Sequence, residues 1–156
     1  MKVRRAEIKD SGRIMELLRQ VNNVHHVNRP DLFLKDKTKY TEEELLKIIQ
    51  DDQTPIFVAL DEDELVLGYS FGVFQSHVDD NNFPDIVSYY IDDICVDEKC
   101  RRQHVGQALY DYTIAFARES GCYNVTLNVW EKNDSARIFY EQCGFKPQKT
   151  CMEVIL

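Results

Sequence analysis

The stretch from residue 87 to residue 121 joins an apolar strand to an amphipathic helix through a short basic loop. Val87 to Val96 is rich in β-branched and aromatic residues, which predicts a strand despite the adjacent Asp92 and Asp93. From Val105 to Ser120 the apolar residues recur at helical spacing. A strand followed so closely by a helix is typical of an α/β fold, in which helices pack on the faces of a sheet.

Further helices and strands are predicted on both sides of this unit. Helices begin near Ser11, at the Thr41–Glu44 capping box and near Asn133, whereas residues 22–40 lack clean periodicity and predict a long loop. Strands are predicted at residues 3–8, 56–60, 65–74, 124–130 and about 149–155. The pattern predicts a single domain over residues 1–156, an α/β fold in which helices flank a mixed, mostly antiparallel central sheet.

The charge balance argues against some partners and favours others. With 19 Lys+Arg against 27 Asp+Glu, the formal net charge is −8, which is unsuited to general binding of nucleic acid or of an anionic membrane. Residues 41–100 carry 16 acidic and 2 basic side chains. A segment this acidic favours a cationic partner, although most such charge simply solvates a surface.

The cysteines and the N-terminus bear on the cellular compartment. The chain has five cysteines, an odd number without the spacing of a metal site, so we expect reduced thiols and no bound metal. Residues 1–7 lack the apolar core of a signal sequence, and no run approaches the roughly 18 apolar residues that a membrane helix needs. We therefore expect a cytoplasmic protein without a membrane span.

The loop that opens the helix at Val105 has the chemistry of an anion site. The first amides of a helix lack internal acceptors, and the helix dipole adds partial positive charge at the same place. Arg101 and Arg102 add full charges, and Gly106 lets a ligand approach the backbone closely. The loop therefore predicts a phosphate-bearing ligand, although an arginine-rich helix start is also common on solvated surfaces.

Residues 91–110 and 133–145 resemble two motifs of the GNAT (Gcn5-related) N-acetyltransferases, in particular those that act on small-molecule amines and the RimI-like enzymes. The sequence Arg-Arg-Gln-His-Val-Gly is similar to the family's acetyl-CoA-binding motif R/Q-x-x-G-x-G/A, with His104 in place of the first glycine. The segment that begins at Asn133 is similar to the second motif of Asn, helix, Tyr and Gly-Phe. The resemblance covers essentially the whole chain and implies a GNAT-like fold.

The resemblance implies how acetyl-CoA is bound. The backbone of the strand through Ile94, Cys95 and Val96 would pair with the pantetheine arm and hold the thioester carbonyl, and Asn133 would steady that arm. The amides of the loop and the helix start would cradle the pyrophosphate; they belong to Arg101, Arg102, Gln103, His104, Val105, Gly106, Gln107 and Ala108.

The resemblance also assigns the proton transfers. Tyr140 matches the tyrosine that protonates the departing thiolate of CoA, and acyl transfer does require a proton for that leaving group. Asp92 matches an acidic residue that serves the amine in polyamine and aminoglycoside acetyltransferases. Asp93 is a second candidate for contact with the substrate. Because consecutive strand residues face opposite ways, only one carboxylate can point into the cleft unless the strand is bulged.

His25 and His26 are predicted to lie in the loop between the first two helices, where the family shapes its acceptor pocket. A histidine there can contact substrate or relay protons, which makes His26 a candidate substrate residue. The alternative is that both are polar loop residues without a functional role.

The leading hypothesis is an N-acetyltransferase that uses acetyl-CoA and no metal, and that acetylates a primary amine of a cationic small molecule or a peptide N-terminus. A non-catalytic acyl-CoA-binding sensor is the alternative, because His104 replaces a glycine of the motif. An interaction protein without a ligand would leave the joint occurrence of Asn133, Tyr140 and the basic loop unexplained. Both a monomer and a homodimer formed through the C-terminal strand are consistent with the residues.

Overall fold

The computed structural model describes residues 1–156 and contains five strands and four α-helices. The strands are β1 Lys2–Arg5, β2 Ile56–Leu60, β3 Val66–Ser76, β4 Val87–Val96 and β5 Asn124–Leu127. The helices are α1 Ser11–Asn28, α2 Glu42–Gln50, α3 Val105–Glu119 and α4 Asp134–Gln142. The sheet has the order β1-β2-β3-β4-β5, and only the β4–β5 pair is parallel. The predicted α/β fold with a mixed, mostly antiparallel sheet is confirmed.

The sheet separates two hydrophobic cores. The first core lies between one face and the helices α1 and α2, and the second core lies between the opposite face and α3. Strand β2 shows the division, because Val58 belongs to the first core and its neighbours Phe57 and Ala59 belong to the second. Alternation of side chains along a strand buried on both faces requires this pattern.

Helix α2 begins where the capping box places it. The Glu44 N–H donates to Thr41 Oγ1 at 3.2 Å, and the Thr41 N–H donates to the Glu44 carboxylate at 2.8 Å. The two bonds satisfy donors that the helix itself cannot, and Leu45 and Ile49 then face the first core. The helix thereby fixes the end of the loop that precedes it.

Helix α1 is longer than the sequence predicts, because it continues through residues 22–28. The Asn22 amide donates to the Leu34 carbonyl at 2.7 Å, and the Asn23 amide donates to Asp36 Oδ1 at 2.9 Å. The prediction of a loop starting at residue 22 is wrong because these polar side chains hold the following loop against the helix instead of ending the helix. The loop itself spans residues 29–41.

The predicted strand at residues 149–155 is absent, and no regular secondary structure follows α4. Val154 and Ile155 are 81% and 77% exposed. A strand requires a neighbour that accepts and donates its backbone hydrogen bonds, which apolar residues alone do not supply. The β5 strand also ends earlier than predicted, at Leu127 instead of Trp130.

Candidate active site

A β-bulge in β4 places the two adjacent carboxylates on one face of the sheet. Phe71 of β3 pairs with Asp93, and the next residue, Gly72, pairs with Ile91, so Asp92 is an extra residue without a partner. Ile91 belongs to the second core, whereas both carboxylates bind tyrosines that pack in the first core. The bulge therefore lets both carboxylates face the same cleft.

Each of these carboxylates has its own hydrogen-bond donors. Tyr40 donates to Asp92 Oδ2 at 2.9 Å, and the Lys39 ammonium lies 2.6 and 2.7 Å from the two oxygens of the same carboxylate. Tyr69 donates to Asp93 Oδ2 at 2.7 Å. Burial raises the pKa of Asp93 to about 6, against the opposing effect of the bond from Tyr69. The Asp93 carboxyl thus titrates near neutral pH, whereas Asp92 is held in an ion pair.

Strands β4 and β5 diverge beside the bulge. Their pairing covers Ser88–Ile91 and stops there, while β4 remains paired with β3 as far as Val96. The backbone of residues 92–96 therefore has an edge that no strand of this chain covers. An extended ligand can form hydrogen bonds with such an edge. Ile94, Cys95 and Val96, the residues expected to meet the pantetheine arm, lie on it.

The Cys95 thiol is directed into the protein and away from this edge. It is 7% exposed and donates to the Leu17 carbonyl of α1 at 3.6 Å. Burial, followed by the charge of Asp93, raises the pKa of Cys95 to about 12. A thiol held neutral in this way is a poor nucleophile, so Cys95 can contribute its backbone but not a covalent intermediate.

The loop before α3 presents a row of free backbone donors. No N–H group of residues 101–107 has a backbone acceptor within the chain. The φ angles of Arg102 and His104 are +62° and +61°, in the left-handed region that glycine adopts most easily. His104 therefore follows the backbone path that a glycine of the motif would take. These amides and the two arginine charges fit a pyrophosphate group.

Two of the expected cofactor contacts already have partners within the chain. The Ala108 N–H donates to the His104 carbonyl at 3.0 Å, so the predicted cradle of free amides ends at Gln107 and does not include Ala108. Asn133 Oδ1 accepts from the Ala136 N–H at 3.3 Å and caps α4. The amide –NH₂ of Asn133 is the part of that side chain left for a ligand.

Tyr140 lies on α4 with its ring between Phe139 and Phe145, at centroid distances of 5.3 and 5.7 Å. Burial, followed by the nearby negative charge of Asp93, holds the pKa of Tyr140 above its ordinary value. The phenol is therefore protonated at neutral pH and can donate a proton or a hydrogen bond.

The two histidines lie on α1, and their prediction as loop residues is wrong. His26 Nδ1 lies 2.6 Å from the Phe33 carbonyl, so it fastens the loop to the helix. His25 packs against Phe33 and Trp130 at centroid distances of 5.0 and 6.5 Å. The structure therefore gives His26 a structural contact and joins His25 to an aromatic cluster that the sequence analysis did not predict.

Lys39, Tyr40 and Tyr69 are site residues that the sequence analysis missed. Lys39 and Tyr40 lie 53 and 52 residues before Asp92, and Tyr69 lies 24 residues before Asp93. Tyr69 pairs with Cys95 in the β3–β4 register. A correct alignment of β3 with β4 could have found Tyr69, but no local pattern distinguishes Lys39 from the other lysines of its loop.

Two depressions of the surface lie away from these residues. One, of about 250 Å³, lies beside Arg13 and Val66, and another, of about 150 Å³, lies between α3 and β5 at Ala117 and Asn124. The candidate site is defined instead by the bulge, the free edge of β4 and the loop before α3.

The sequence profile of the Acetyltransferase (GNAT) family matches residues 20–145, and the chain belongs to this family. Members of the family use acetyl-CoA as co-substrate. The family resemblance that the motifs in the sequence carry is therefore confirmed. No group of three or more His, Cys, Asp or Glu side chains is placed to hold a metal ion. None of the helices combines the length and apolar character needed to cross a membrane.

The chain is similar in structure to a mutant of the BH1408 protein from Bacillus halodurans, with a TM-score of 0.95 and 26% identity over 100% of this chain and 99% of that chain. It is also similar to an aminoglycoside acetyltransferase from an uncultured soil metagenomic sample, solved in complex with trehalose. That likeness has a TM-score of 0.75 and 23% identity, covers 99% of this chain and 95% of that chain, and shows the fold alone.

Glucosamine 6-phosphate N-acetyltransferase from Arabidopsis thaliana is a sequence relative. It is 31% identical over 55 residues, which are 35% of this chain and 35% of that protein. The match thus spans about a third of the length of the curated relative.

Proposed function

We propose that this enzyme transfers the acetyl group of acetyl-CoA directly to a primary amine, carried by a cationic small molecule or by a peptide N-terminus. The observation that supports this most is the bulge at Asp92, which directs two carboxylates into one cleft beside the open edge of β4. Carboxylates there can bind an ammonium ion and take its proton. Tyr140 can supply the proton that the leaving group needs.

Acetyl-CoA supplies an activated thioester when it is bound, and this chain has groups that fit its parts. The free amides of residues 101–107, with Arg101 and Arg102, would hold the pyrophosphate. The uncovered edge at Ile94–Val96 would hydrogen-bond the pantetheine arm, and the Asn133 amide would steady it. These donors and acceptors have no other partners, which supports their use by a ligand.

The two carboxylates suit different tasks. Asp92 already holds an ammonium, that of Lys39, and an acceptor amine would bind there in the same way. Asp93 has a pKa of about 6, so it is ionised at neutral pH but retains appreciable basicity. We assign to Asp92 the binding of the acceptor ammonium and its initial deprotonation, with Asp93 as the carboxylate that stores the proton. A general base works best with a pKa near the working pH.

Tyr140 performs the complementary proton transfer. Its burial keeps the phenol neutral until the C–S bond breaks, when the departing thiolate can accept the phenolic proton. The charge on Asp93 disfavours a phenolate, so Tyr140 gives up its proton more readily once Asp93 has gained the amine's proton. The proton held by Asp93 and one from solvent then restore the starting protonation of the two groups.

Thermal unfolding with and without acetyl-CoA, followed by thiol release with a panel of amines, tests this proposal. A ligand at 100 times its dissociation constant adds about 2.7 kcal/mol, which raises the midpoint clearly. The panel contains polyamines, aminoglycosides and basic peptides as cationic amines, and amino sugars because the sequence relative is a glucosamine 6-phosphate N-acetyltransferase. A midpoint shift without thiol release from any amine would contradict catalysis and support an acyl-CoA sensor.

We also propose that two copies associate through the C-terminal residues 150–156. This segment is mostly apolar and exposed and forms no strand, although its Glu153 pairs with Arg29 of the same chain. Strand β5 has only β4 as a neighbour, so the other edge of β5 is open. An open edge is a ready partner for a strand from another chain. Sedimentation of the full chain and of a variant ending at residue 149 tests this association. A full-length chain that remains monomeric at high concentration would contradict it.

We propose in addition a cytoplasmic location, with which the five free cysteines are compatible.

A further inference from the structure

The ammonium of Lys39 binds the Asp92 carboxylate, which the proposed function assigns to the acceptor amine. Lys39 Nζ lies 2.6 Å from Asp92 Oδ1 and 2.7 Å from Asp92 Oδ2, and Tyr40 donates to Oδ2 as well. A carboxylate offers about four lone-pair positions, of which these contacts use three. A second ammonium cannot bind both oxygens of Asp92 while Lys39 remains there.

We propose that Lys39 competes with the acceptor for Asp92 and thereby determines which amines the enzyme accepts. The inference rests on the proposed function, because it takes Asp92 to be the acceptor-binding carboxylate. Binding of the acceptor is then an exchange, in which one ammonium leaves Asp92 and another replaces it. Lys39 acts on substrate choice by occupying the position and takes no part in acetyl transfer.

The two donors to Asp92 differ in how easily they leave it. The Tyr40 ring stacks on Phe71 with centroids 5.8 Å apart, and its hydroxyl is half-buried, so Tyr40 is part of the fold. The Lys39 side chain is 49% exposed, whereas that of Asp92 is 14% exposed. An ion pair open to water contributes little net stability, so Lys39 can turn outward into solvent at small cost.

The exchange selects for charge. With Lys39 in place, the charge of Asp92 is compensated, and an amine that is neutral at the working pH gains no ion pair by entering. A primary ammonium replaces the Lys39 contacts one for one. The preferred acceptor is therefore a primary ammonium, which restores the ion pair that Lys39 gives up.

Substitution of Lys39 tests the competition. Lys39→Met removes the ammonium and retains an unbranched side chain, and Lys37→Met, on an exposed lysine of the same loop, is the matched control. We expect Lys39→Met to lower the KM for the best cationic amine about three- to tenfold with kcat and the KM for acetyl-CoA unchanged. Lys37→Met leaves all three unchanged. An unchanged or higher KM in Lys39→Met would overturn the proposal, and a higher value would indicate that Lys39 binds the acceptor directly.

A double-mutant cycle separates competition from a general loosening of the loop. In an Asp92→Asn background the ion pair no longer exists, so adding Lys39→Met should leave the dissociation constant of spermidine, measured by calorimetry, unchanged. The same gain in affinity with and without the Asp92 carboxylate would contradict the proposal. Spermidine binding, measured by calorimetry without acetyl-CoA, gives an independent test: Lys39→Met should bind it more tightly than the wild type. The calorimetric result does not depend on turnover. If no amine is acetylated, the proposed function fails, but the competition between Lys39 and spermidine for Asp92 is still measured.

Discussion

The Tyr69 phenol donates a 2.7 Å hydrogen bond to the Asp93 carboxylate inside the first core. Burial has the larger effect on this carboxyl and raises its pKa from 3.8 to about 6, despite the donated bond. A partly buried carboxyl group that ionises this close to neutral pH is typical of functional sites. Its titration therefore has consequences for both activity and stability.

The first consequence is kinetic. If Asp93 stores the proton of the amine, kcat/KM should rise with pH through an inflection near 6, on top of the titration of the amine itself. Asp93→Asn should remove the inflection and lower the plateau. Initial rates of the wild type and Asp93→Asn from pH 5 to pH 8, at saturating acetyl-CoA, give this pH dependence of kcat/KM. A profile of Asp93→Asn that keeps the same inflection would exclude Asp93 from this role.

The free energy of unfolding should also depend on the ionisation of Asp93. It should fall as the pH rises through about 6, where kcat/KM rises. The folded-state pKa lies above the unfolded value of 3.8, so the protonated carboxyl stabilises the fold below about pH 4 and this contribution is lost as the pH rises through about 6. Asp93→Asn should therefore raise the free energy of unfolding by roughly 1–3 kcal/mol at pH 7.5 and by little near pH 4. Urea unfolding at both pH values decides this.

Removal of one hydroxyl tests Tyr140. Tyr140→Phe keeps the ring between Phe139 and Phe145, so acetyl-CoA binding and the unfolding midpoint should hardly change. Turnover should fall roughly a hundredfold, within the range for loss of a general acid. Tyr123→Phe, at a tyrosine that is 74% exposed, is the control and should have wild-type turnover. Full activity of Tyr140→Phe would exclude Tyr140 as the acid.

The left-handed backbone at His104 predicts opposite effects for two substitutions. His104→Gly should raise the free energy of unfolding by up to about 1 kcal/mol, since glycine adopts φ = +61° without a Cβ penalty. His104→Val should lower it by about 1–2 kcal/mol, because a β-branched residue is strained there. His104→Gly should also bind acetyl-CoA more tightly in a calorimetric titration. Weaker binding would show instead that the imidazole contacts the phosphates.

Two glycines provide a matched pair for the packing of the sheet. A methyl group at Gly72 would overlap the Tyr89 hydroxyl in the second core, so Gly72→Ala should cost about 2 kcal/mol or more. A methyl group at Gly12, in α1, has no atom within 4 Å, so Gly12→Ala should add about 0.5–1 kcal/mol. Equal effects of the two substitutions on urea unfolding would show that the β3–β4 register is wrong.

Much of the fold could be predicted because its signals are local. The capping box at Thr41, the continuous apolar run of β2 and the helical spacing in α3 each depend on residues that are close in sequence. The end of α1 and the missing C-terminal strand could not be predicted in this way. The first depends on where Asn22 and Asn23 find partners in a distant loop, and the second on whether any strand is available for pairing.

The sequence predicted several residues of the site but not the contacts that their side chains make. Asp92, Asp93 and Tyr140 follow from residue chemistry and from the motifs, and their roles remain predictions. The ion pair with Lys39 joins residues 53 positions apart, and the bond from Tyr40 joins residues 52 apart. The pKa of Asp93 depends on burial that only the packed sheet creates. Sequence patterns reveal the spacing of apolar residues and the presence of motifs. The ion pair, the hydrogen bond and the pKa depend instead on which distant residues the fold brings together.

The pairing of β3 with β4 also indicates what the chain would be without Asp92. Phe71 and Gly72 are consecutive in β3, and their partners Asp93 and Ile91 would become consecutive in β4 if that one residue were deleted. The deletion would restore regular alternation and leave each remaining side chain of β4 facing the core that it faces now. Asp92 is thus a single-residue insertion that strand pairing does not require, so the fold and this carboxylate can be gained or lost independently.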